Sequence, residues 1–475
     1  MKFLVTFNEH EHNILEGKQH IHMMGIGGSG MYPLAQMLHS KGFYVTGSDN
    51  NQTETVEAVR SMGIQVTIGQ KAENIRGADL IVYTTAILSD NPELVAAKAS
   101  SVPMIERAQL LGLVTSWFDN AVCVSGTHGK TTVTSMITQI LKGAGRDISA
   151  YIGGKLPIIG GSGCIGTSDT FVCEACEFCD HFLHLHPDIA LINNIDADHL
   201  DYFGTLDRII ESFVKFGNMA GTVLANGDDV NTRKALEGIE KPVVTFGLSH
   251  GNDWYADNIV HSVTPEFDIF HKGEHFAHIR LGVYGEHNIP NAVAACAAAY
   301  MSGATSGEIE AGLESFTGAK RRFDKYGEVN GITVCDDYGH HPTELTVTLN
   351  AAVKAGYSSV WLVFQPFTFS RTAMLIDEFA EAMKIPDHCV ITAIMGSREK
   401  NTYGIYDRDL AAKVPGSICF EEQDHDKNFE LCAQYVADNA KSGDLILTMG
   451  CGDINKCSWL ILDKLKEKYA VTSNG

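Results

Sequence analysis

Hydrophobic positions along this chain gather into short, nearly unbroken runs, separated by amphipathic stretches and glycine turns. Ala121-Val122-Cys123-Val124, Ile189-Ala190-Leu191-Ile192 and Val360-Trp361-Leu362-Val363-Phe364 are examples. Such runs predict strands buried on both faces, as in a parallel sheet covered by helices. In the first segment, residues 20–25 predict a strand, 31–40 an amphipathic helix and 44–48 a second strand, with further strands at 80–83 and 102–105. The second segment starts near Trp117, with strands at 121–124, 170–173, 189–192, 222–224 and 243–246. A helical pattern covers 133–141, and an alanine-rich helix runs from 289 to 301. The glycine-rich stretch 153–166 reads as a mobile loop. The third segment starts near Gly331, with strands at 332–335, 360–364, 389–392 and 445–448 and a glycine turn at 450–453 before the last helix. The alternation predicts three consecutive α/β domains, drawn at 1–115, 116–328 and 329–475.

Length agrees, since 475 residues exceed what one core accommodates. Hydrophobic content of 44% and charged content of 20% suit a soluble globular protein. A net charge of −22 argues against nucleic acid as a partner and makes any phosphate site a local matter of Lys, Arg and backbone N–H. No apolar run reaches spanning length and the N-terminus turns polar within ten residues, so no membrane insertion and a cytoplasmic location are expected. Of the twelve cysteines, Cys173, Cys176 and Cys179 form a C-x-x-C-x-x-C run. It can be read as a metal cluster or as reduced thiols; the want of a fourth nearby cysteine favours thiols.

Two glycine loops carry the first chemical signal. Ser125-Gly126-Thr127-His128-Gly129-Lys130-Thr131-Thr132 joins a predicted strand to a predicted helix. Glycines let backbone N–H groups approach phosphate oxygens, and the helix start adds a positive dipole end. Lys130 can reach the outer phosphates and the Thr131 hydroxyl can ligate Mg²⁺, so ATP is the expected nucleotide. The loop is shorter than the usual form, with two residues between Gly126 and Gly129. Earlier, Gly25, Gly27, Gly28, Ser29 and Gly30 form a G-x-G-x-x-G turn, with Asp49 about twenty residues on. That pattern suits NAD, but its physics is a diphosphate on a glycine loop and a carboxylate on a ribose hydroxyl. A UDP-sugar meets both demands.

The order along the chain is glycine turn, phosphate loop, Glu174-Ala175-Cys176-Glu177, Asp196-Ala197-Asp198-His199-Leu200-Asp201, His287-Asn288-Ile289-Pro290-Asn291, Lys320-Arg321-Arg322-Phe323, then Asp336-Asp337-Tyr338-Gly339-His340-His341-Pro342. In this ordered set the chain resembles the Mur ligases over nearly its whole length. The resemblance implies a Rossmann-like N-terminal domain for a UDP-sugar, a P-loop-type central ATPase domain and a Rossmann-like C-terminal domain that closes over the site. It also implies ATP, two Mg²⁺ ions and no NAD. The implied small-molecule substrates, in the alanine-adding branch, are UDP-N-acetylmuramate and L-alanine, joined through an acyl phosphate.

The resemblance assigns Mg²⁺ to Thr131, Glu174 and His199, with His199 at the end of a strand. Lys130 and Arg322 are expected on the transferring phosphoryl, with Arg321 and Lys320 as surface alternatives. Gly126, Thr127, His128, Gly129 and Thr132 complete the ATP loop. Asn291 is expected at adenine, with His287 and Asn288 beside it, and Asp336 at the ribose and phosphate end. Capping of the helix explains one of the two asparagines without a ligand. Tyr338, His340, His341 and Arg371 are expected near the sugar's carboxylate and the incoming alanine. His128 is expected to face the same carboxylate or to make a loop hydrogen bond.

Several positions depart from the family pattern. Cys176 and Cys179 stand where acidic residues are usual, and Phe367 where a histidine is usual. Phe213 lies where other branches carry a modified lysine, and Met395-Gly396-Ser397-Arg398-Glu399 deviates before its Arg-Glu. Three rival readings remain: a ligase that joins a tripeptide to the same sugar, a dehydrogenase using NAD, and a nucleotide-binding regulator without ligase activity. Monomer and homodimer are both compatible with the sequence.

Overall fold

A computed structural model describes residues 14–261, 264–397 and 399–472. The chain divides into two compact units. One holds the chain up to Ile259 with Phe267–Arg280 and Pro290–Phe316; the other holds Val260–Glu266, Leu281–Ile289 and the chain from Thr317 onward.

The first unit contains two sheets. The first sheet comprises β1 (His20–Met24), β2 (Tyr44–Asp49), β3 (Gln65–Ile68), β4 (Leu80–Tyr83) and β5 (Met104–Glu106), in the order β3-β2-β1-β4-β5. All its pairs are parallel. The order reverses between β1 and β4, which makes a topological switch point at the carboxyl end of β1. The Gly25–Gly30 turn begins there. Below it lies a buried polar chain: His22 Nε2 stands 2.7 Å from Glu93 Oε1, and Ser48 Oγ donates to Glu93 Oε2 at 2.6 Å. Glu93 and Ser48 have no exposed surface. This chain ties β1 and β2 to the helix Pro92–Ala99.

The second sheet contains β6 (Asn120–Ser125), β7 (Ser149–Leu156), β8 (Gly161–Cys164), β9 (Thr170–Glu174), β10 (Ile189–Ile192), β11 (Thr222–Asn226), β12 (Val243–Gly247), β13 (Trp254–Val260), β14 (Glu266–His271) and β15 (Glu274–Arg280). Its order is β15-β14-β13-β12-β11-β10-β6-β9-β7-β8. β6, which feeds the phosphate loop, is thus flanked by β10 and β9, and Ala121–Val124 have no exposed surface. The stretch 153–166 is not the mobile loop expected from its glycines. It is an antiparallel hairpin, β7 with β8. The glycines are there for close approach: a Cβ on Gly163 would sit 2.5 Å from Pro33 Cβ and 2.9 Å from Ala150 O. Ser162 Oγ donates to Ser29 O at 3.0 Å, so this hairpin braces the glycine turn of the first sheet. Strands β13 to β15 were not expected. In β15 only Ala277 and Ile279 are buried, so one face is apolar and the run gives no continuous hydrophobic signal.

The second unit carries β16 (Asp324–Val329), β17 (Ile332–Asp337), β18 (Val360–Phe364), β19 (His388–Ile391), β20 (Ile418–Cys419) and β21 (Leu445–Met449), in the order β16-β17-β21-β18-β19-β20. β16 runs antiparallel to β17 and the other pairs are parallel. The third sheet therefore opens at Asp324, ahead of the boundary drawn at residue 329. Its edge strand Asp-Lys-Tyr-Gly-Glu-Val is mostly polar, with a register shift between Lys325 and Gly327, and reads as a loop by hydropathy alone. One face packs Leu345, Leu349 and Phe379 against β18 and β21; the other packs Phe429, Val436 and Ile461. Among the described residues no helix is long and apolar enough to cross a membrane.

Replacing Glu93 by alanine strands two buried polar side chains, His22 and Ser48. The expected loss is about 1–3 kcal/mol for each stranded group, read as a lower urea midpoint.

Candidate active site

The phosphate loop is built by backbone that only glycine adopts easily. Gly126 has φ 136° and Gly129 has φ 82°, and Gly129 caps the helix Lys130–Gly143. Gly129 also admits close neighbours, since a Cβ there would lie 2.5 Å from Asn193 Nδ2 and 2.8 Å from Asn291 Oδ1. The loop is braced by a polar run just beyond β10. Asn194 Oδ1 accepts from His128 N at 2.8 Å, and both Asn193 Nδ2 and Asn194 Nδ2 donate to His128 O at 3.0 Å. Thr127 Oγ1 accepts from Asp196 N at 2.8 Å, and the His128 ring meets Asp196 Oδ2 at 3.2 Å. Asn193, Asn194 and Asp196 were not singled out by sequence reasoning as supports. The signal was available: three polar side chains directly after a fully apolar strand.

Lys130 is turned back onto its own loop. Its ammonium donates to Gly126 O at 2.6 Å, to Thr127 O at 3.1 Å and to Glu177 Oε1 at 3.0 Å. Burial disfavours the charge, but Glu177, Cys176 and Glu174 outweigh it and raise the Lys130 pKa. Glu177 itself is 2% exposed, so this is an ion pair taken almost wholly from water. Burial pushes the Cys176 thiol up to about 11, so it is a protonated thiol at neutral pH.

Glu174 ends β9 as expected, and its carboxylate is a junction. Oε2 accepts from Thr131 Oγ1 and from Gly153 N, both at 2.8 Å. A hydroxyl and a carboxylate side by side at the start of a phosphate-loop helix are the hard oxygen donors that Mg²⁺ prefers. His199 is not at a strand end. It follows β10 by seven residues and caps the short helix Leu200–Phe203 with φ 53°. The chain has left the sheet by then, because Asp196 is engaged with the phosphate loop. The His199 ring lies 4.8 Å from the Phe178 ring, and its Nε2 is 3.7 Å from Asp198 Oδ2. No three His, Cys, Asp or Glu side chains form a metal-binding group among the described residues. The side chain of Asp201 and all of Arg398 lie outside the described residues. Cys173 sits inside the sheet beside Cys123, and Phe213 packs edge-on against Phe182.

A cavity of about 890 Å³ runs through the first unit from the glycine turn to Glu174. Its lining includes Gly25, Gly28, Ser29, Gly30 and Asp49 from the first sheet's loops, and Tyr151, Gly153, Glu174 and Cys176 from the second sheet. Gly27 does not line it; its N–H donates to Asp49 Oδ2 at 3.0 Å, and a Cβ there would collide with Val56. Asp49 therefore holds the turn while also facing the cavity. Arg107 and His181 are cavity residues that the sequence reading missed. The 3.0 Å contact of His181 with Glu106 lowers the Glu106 pKa, against the opposing effect of burial.

In the second unit, Arg321 is not a surface alternative. It donates to Asp336 Oδ2 at 2.7 Å and to the carbonyls of Gly452 at 2.9 Å and Gly450 at 2.7 Å. Asp336 is fully buried, and its other oxygen accepts from Thr448 Oγ1 at 2.7 Å. Both carboxylate oxygens thus have internal partners. Burial lifts it to about 6 in spite of Arg321. Arg322 stacks over the Tyr338 ring at 5.4 Å, with Arg321 on the same ring at 5.0 Å. Lys320 is half-exposed and pairs with Asp324. Burial, helped by the Arg322 charge, draws His287 down to about 4, so it is neutral. Asn288 opens the helix Asn288–Met301 and its amide donates to Tyr284 O at 2.7 Å. His341 caps the helix Pro342–Lys354, its Nδ1 accepting from Thr343 N at 3.3 Å. The His340 ring lies edge-on to both Tyr338 and Phe367. Arg371 sits in the helix Phe369–Met374, whose Ser370 N donates to Glu399 at 2.8 Å.

Comparison with known proteins covers all three sheets. The Mur ligase family catalytic domain matches residues 20–118, the Mur ligase middle domain 124–299 and the Mur ligase glutamate ligase domain 321–452. A UDP-N-acetylmuramate–L-alanine ligase of Acetivibrio thermocellus is 43% identical over 460 residues, covering 96% of this chain and 97% of that one. One of the same name from Caldanaerobacter subterraneus is 39% identical, covering 95% and 99%. Among solved structures, the UDP-N-acetylmuramate-alanine ligase MurC of Thermotoga maritima superposes with a TM-score of 0.79 at 26% identity, covering 94% of this chain and 99% of that one. A murein peptide ligase of Psychrobacter arcticus gives 0.74 at 26% identity, covering 94% and 98%. Matched by the family's models across all three sheets and by relatives at 43% and 39% identity over nearly its whole length, the chain belongs to the Mur ligase family.

Proposed function

We propose that this chain uses ATP to join L-alanine to the lactyl carboxylate of UDP-N-acetylmuramate, releasing ADP and phosphate, in peptidoglycan precursor synthesis. The observation that carries the reading is the single cavity linking a diphosphate-type glycine turn to Glu174 beside the phosphate loop. Relatives at 43% and 39% identity over nearly the whole chain bear the name of that reaction.

A carboxylate is a poor electrophile at neutral pH. Transfer of the γ-phosphoryl to the lactyl carboxylate gives an acyl phosphate; the amine of L-alanine attacks it and phosphate leaves. The protein's part is positioning and charge compensation. Gly126 and Gly129 present backbone N–H groups to the phosphates, and Lys130 exchanges its loop carbonyls for phosphate oxygens. The oxygens of Thr131 and Glu174 fit Mg²⁺, which when bound offsets the charge on the transferring group. A second ion at His199 is part of the same proposal, as is Arg322 at the γ-phosphoryl. Asn291, beside Gly129, is assigned to the base, with neutral His287 and Asn288 assigned to the same nucleotide. Tyr338, His340, His341 and Arg371 are assigned to the carboxylate and amino-acid end, where Arg371 can bind in bidentate fashion.

The likeness to a murein peptide ligase keeps one alternative acceptor in view, a tripeptide. An assay of ADP release with UDP-N-acetylmuramate, supplied with L-alanine or with tripeptide, separates the two. L-alanine is expected to support turnover and the tripeptide is not; the reverse outcome overturns the acceptor assignment. With the lactyl carboxylate labelled in its oxygens, label is expected in the phosphate released.

Lys130→Ala is expected to lower kcat by about 10²–10³ or more, measured as ADP release. Its circular dichroism is expected to be that of the parent, with a lower Tm because buried Glu177 loses its cation. Parent-like rates would refute the role of the loop.

A further inference from the structure

The cavity poses a charge problem. Its walls include the carboxylates of Asp49, Asp90 and Glu174, yet the ligand proposed for it carries a diphosphate and an acid. Arg107 is the only arginine or lysine among the residues that line it. It opens the helix Arg107–Thr115 just after β5, and its position is unusually constrained. A Cβ on Gly30 would lie 2.6 Å from Tyr151 Oη, 3.2 Å from Arg107 Cδ and 3.5 Å from Arg107 Nη1. The third glycine of the turn therefore makes room for a guanidinium as well as for close packing. Arg107 Nη1 donates to Tyr151 Oη at 2.6 Å. Tyr151 is 5% exposed and comes from β7 of the second sheet, so the arginine is clamped between the two sheets of one unit. Because that hydroxyl accepts from Arg107, its own proton remains to donate. A guanidinium has five donors and stays charged at any working pH.

We propose that Arg107 is the cation for the diphosphate of the UDP-sugar, acting together with the backbone of the Gly25–Gly30 turn, and that Tyr151 is a positioning residue that aims it. The commitment to the diphosphate, rather than to the lactyl acid, comes from the contact with Gly30. Glycine-turn N–H groups bind phosphate oxygens from one side; Arg107 supplies the full positive charge those dipoles lack. The inference rests on the UDP-sugar reading above.

The test uses the full chain as parent, Arg107→Gln, Arg107→Lys and Tyr151→Phe, with calorimetry for UDP-N-acetylmuramate and UDP and ligand-observed NMR for uridine. Arg107→Gln is expected to weaken UDP-N-acetylmuramate and UDP alike, by about 10- to 100-fold, and to leave uridine unchanged. Arg107→Lys is expected to restore part of the loss, because it keeps the charge without the fork. Tyr151→Phe is expected to raise KM for the UDP-sugar several-fold while kcat and the KM for ATP stay at parent values. A loss confined to UDP-N-acetylmuramate, with UDP unaffected, would move Arg107 to the acid end and overturn the diphosphate assignment. Unchanged affinities in Arg107→Gln would overturn it outright. Failure of the parent itself to bind UDP would instead sink the underlying UDP-sugar reading, a result separable from the first two.

Discussion

Much of the first unit hangs on where one carboxylate sits. Glu174 Oε2 takes a hydrogen bond from the Thr131 hydroxyl and another from Gly153 N. Those donors belong to the helix after the phosphate loop and to the β7–β8 hairpin, so one oxygen joins three separate stretches of chain. Gly153 is glycine because any side chain would occupy the space of that carboxylate. A partly buried carboxylate oxygen is costly to leave unpaired, and Oε2 has two donors.

Buried cations in this acidic chain follow one rule: each is matched by nearby oxygen. Lys130 has Glu177 and two loop carbonyls; Arg321 has Asp336 and two glycine carbonyls. Both pairings bury the carboxylate partner almost completely. A net charge of −22 therefore says little about the interior, where sign is settled locally. The raised Asp336 shows the balance: burial outweighs the ion pair even at 2.7 Å.

How much of this was legible beforehand depended on the type of signal. Continuous apolar strands such as Ala121–Val124 and Val360–Phe364 announced themselves, because burial on both faces leaves no polar position to confuse the reading. The glycine turn and phosphate loop did so too, since their backbone geometry demands particular residues at fixed spacing. The β13–β15 extension stayed hidden, as in β15 exposed positions interrupt the buried ones. Gly153–Gly166 was misread because glycine is used both for freedom and for close approach, and spacing alone does not separate the two. Arg321 was misplaced for a related reason. Sequence gives the charges but not which of two neighbouring arginines a carboxylate meets, and here Arg321 took Asp336 while Arg322 lay on Tyr338. Arg107 escaped notice because it lies far in sequence from both Gly30 and Tyr151.

The Ser162–Ser29 contact has a thermodynamic side. A hairpin of the second sheet is fastened to the glycine turn of the first, so the two walls of the cavity are held in register before anything enters. A mould already shaped asks little ordering of the protein on association, and more of the gross contact energy survives as affinity. For a highly charged ligand, such rigidity favours tight capture.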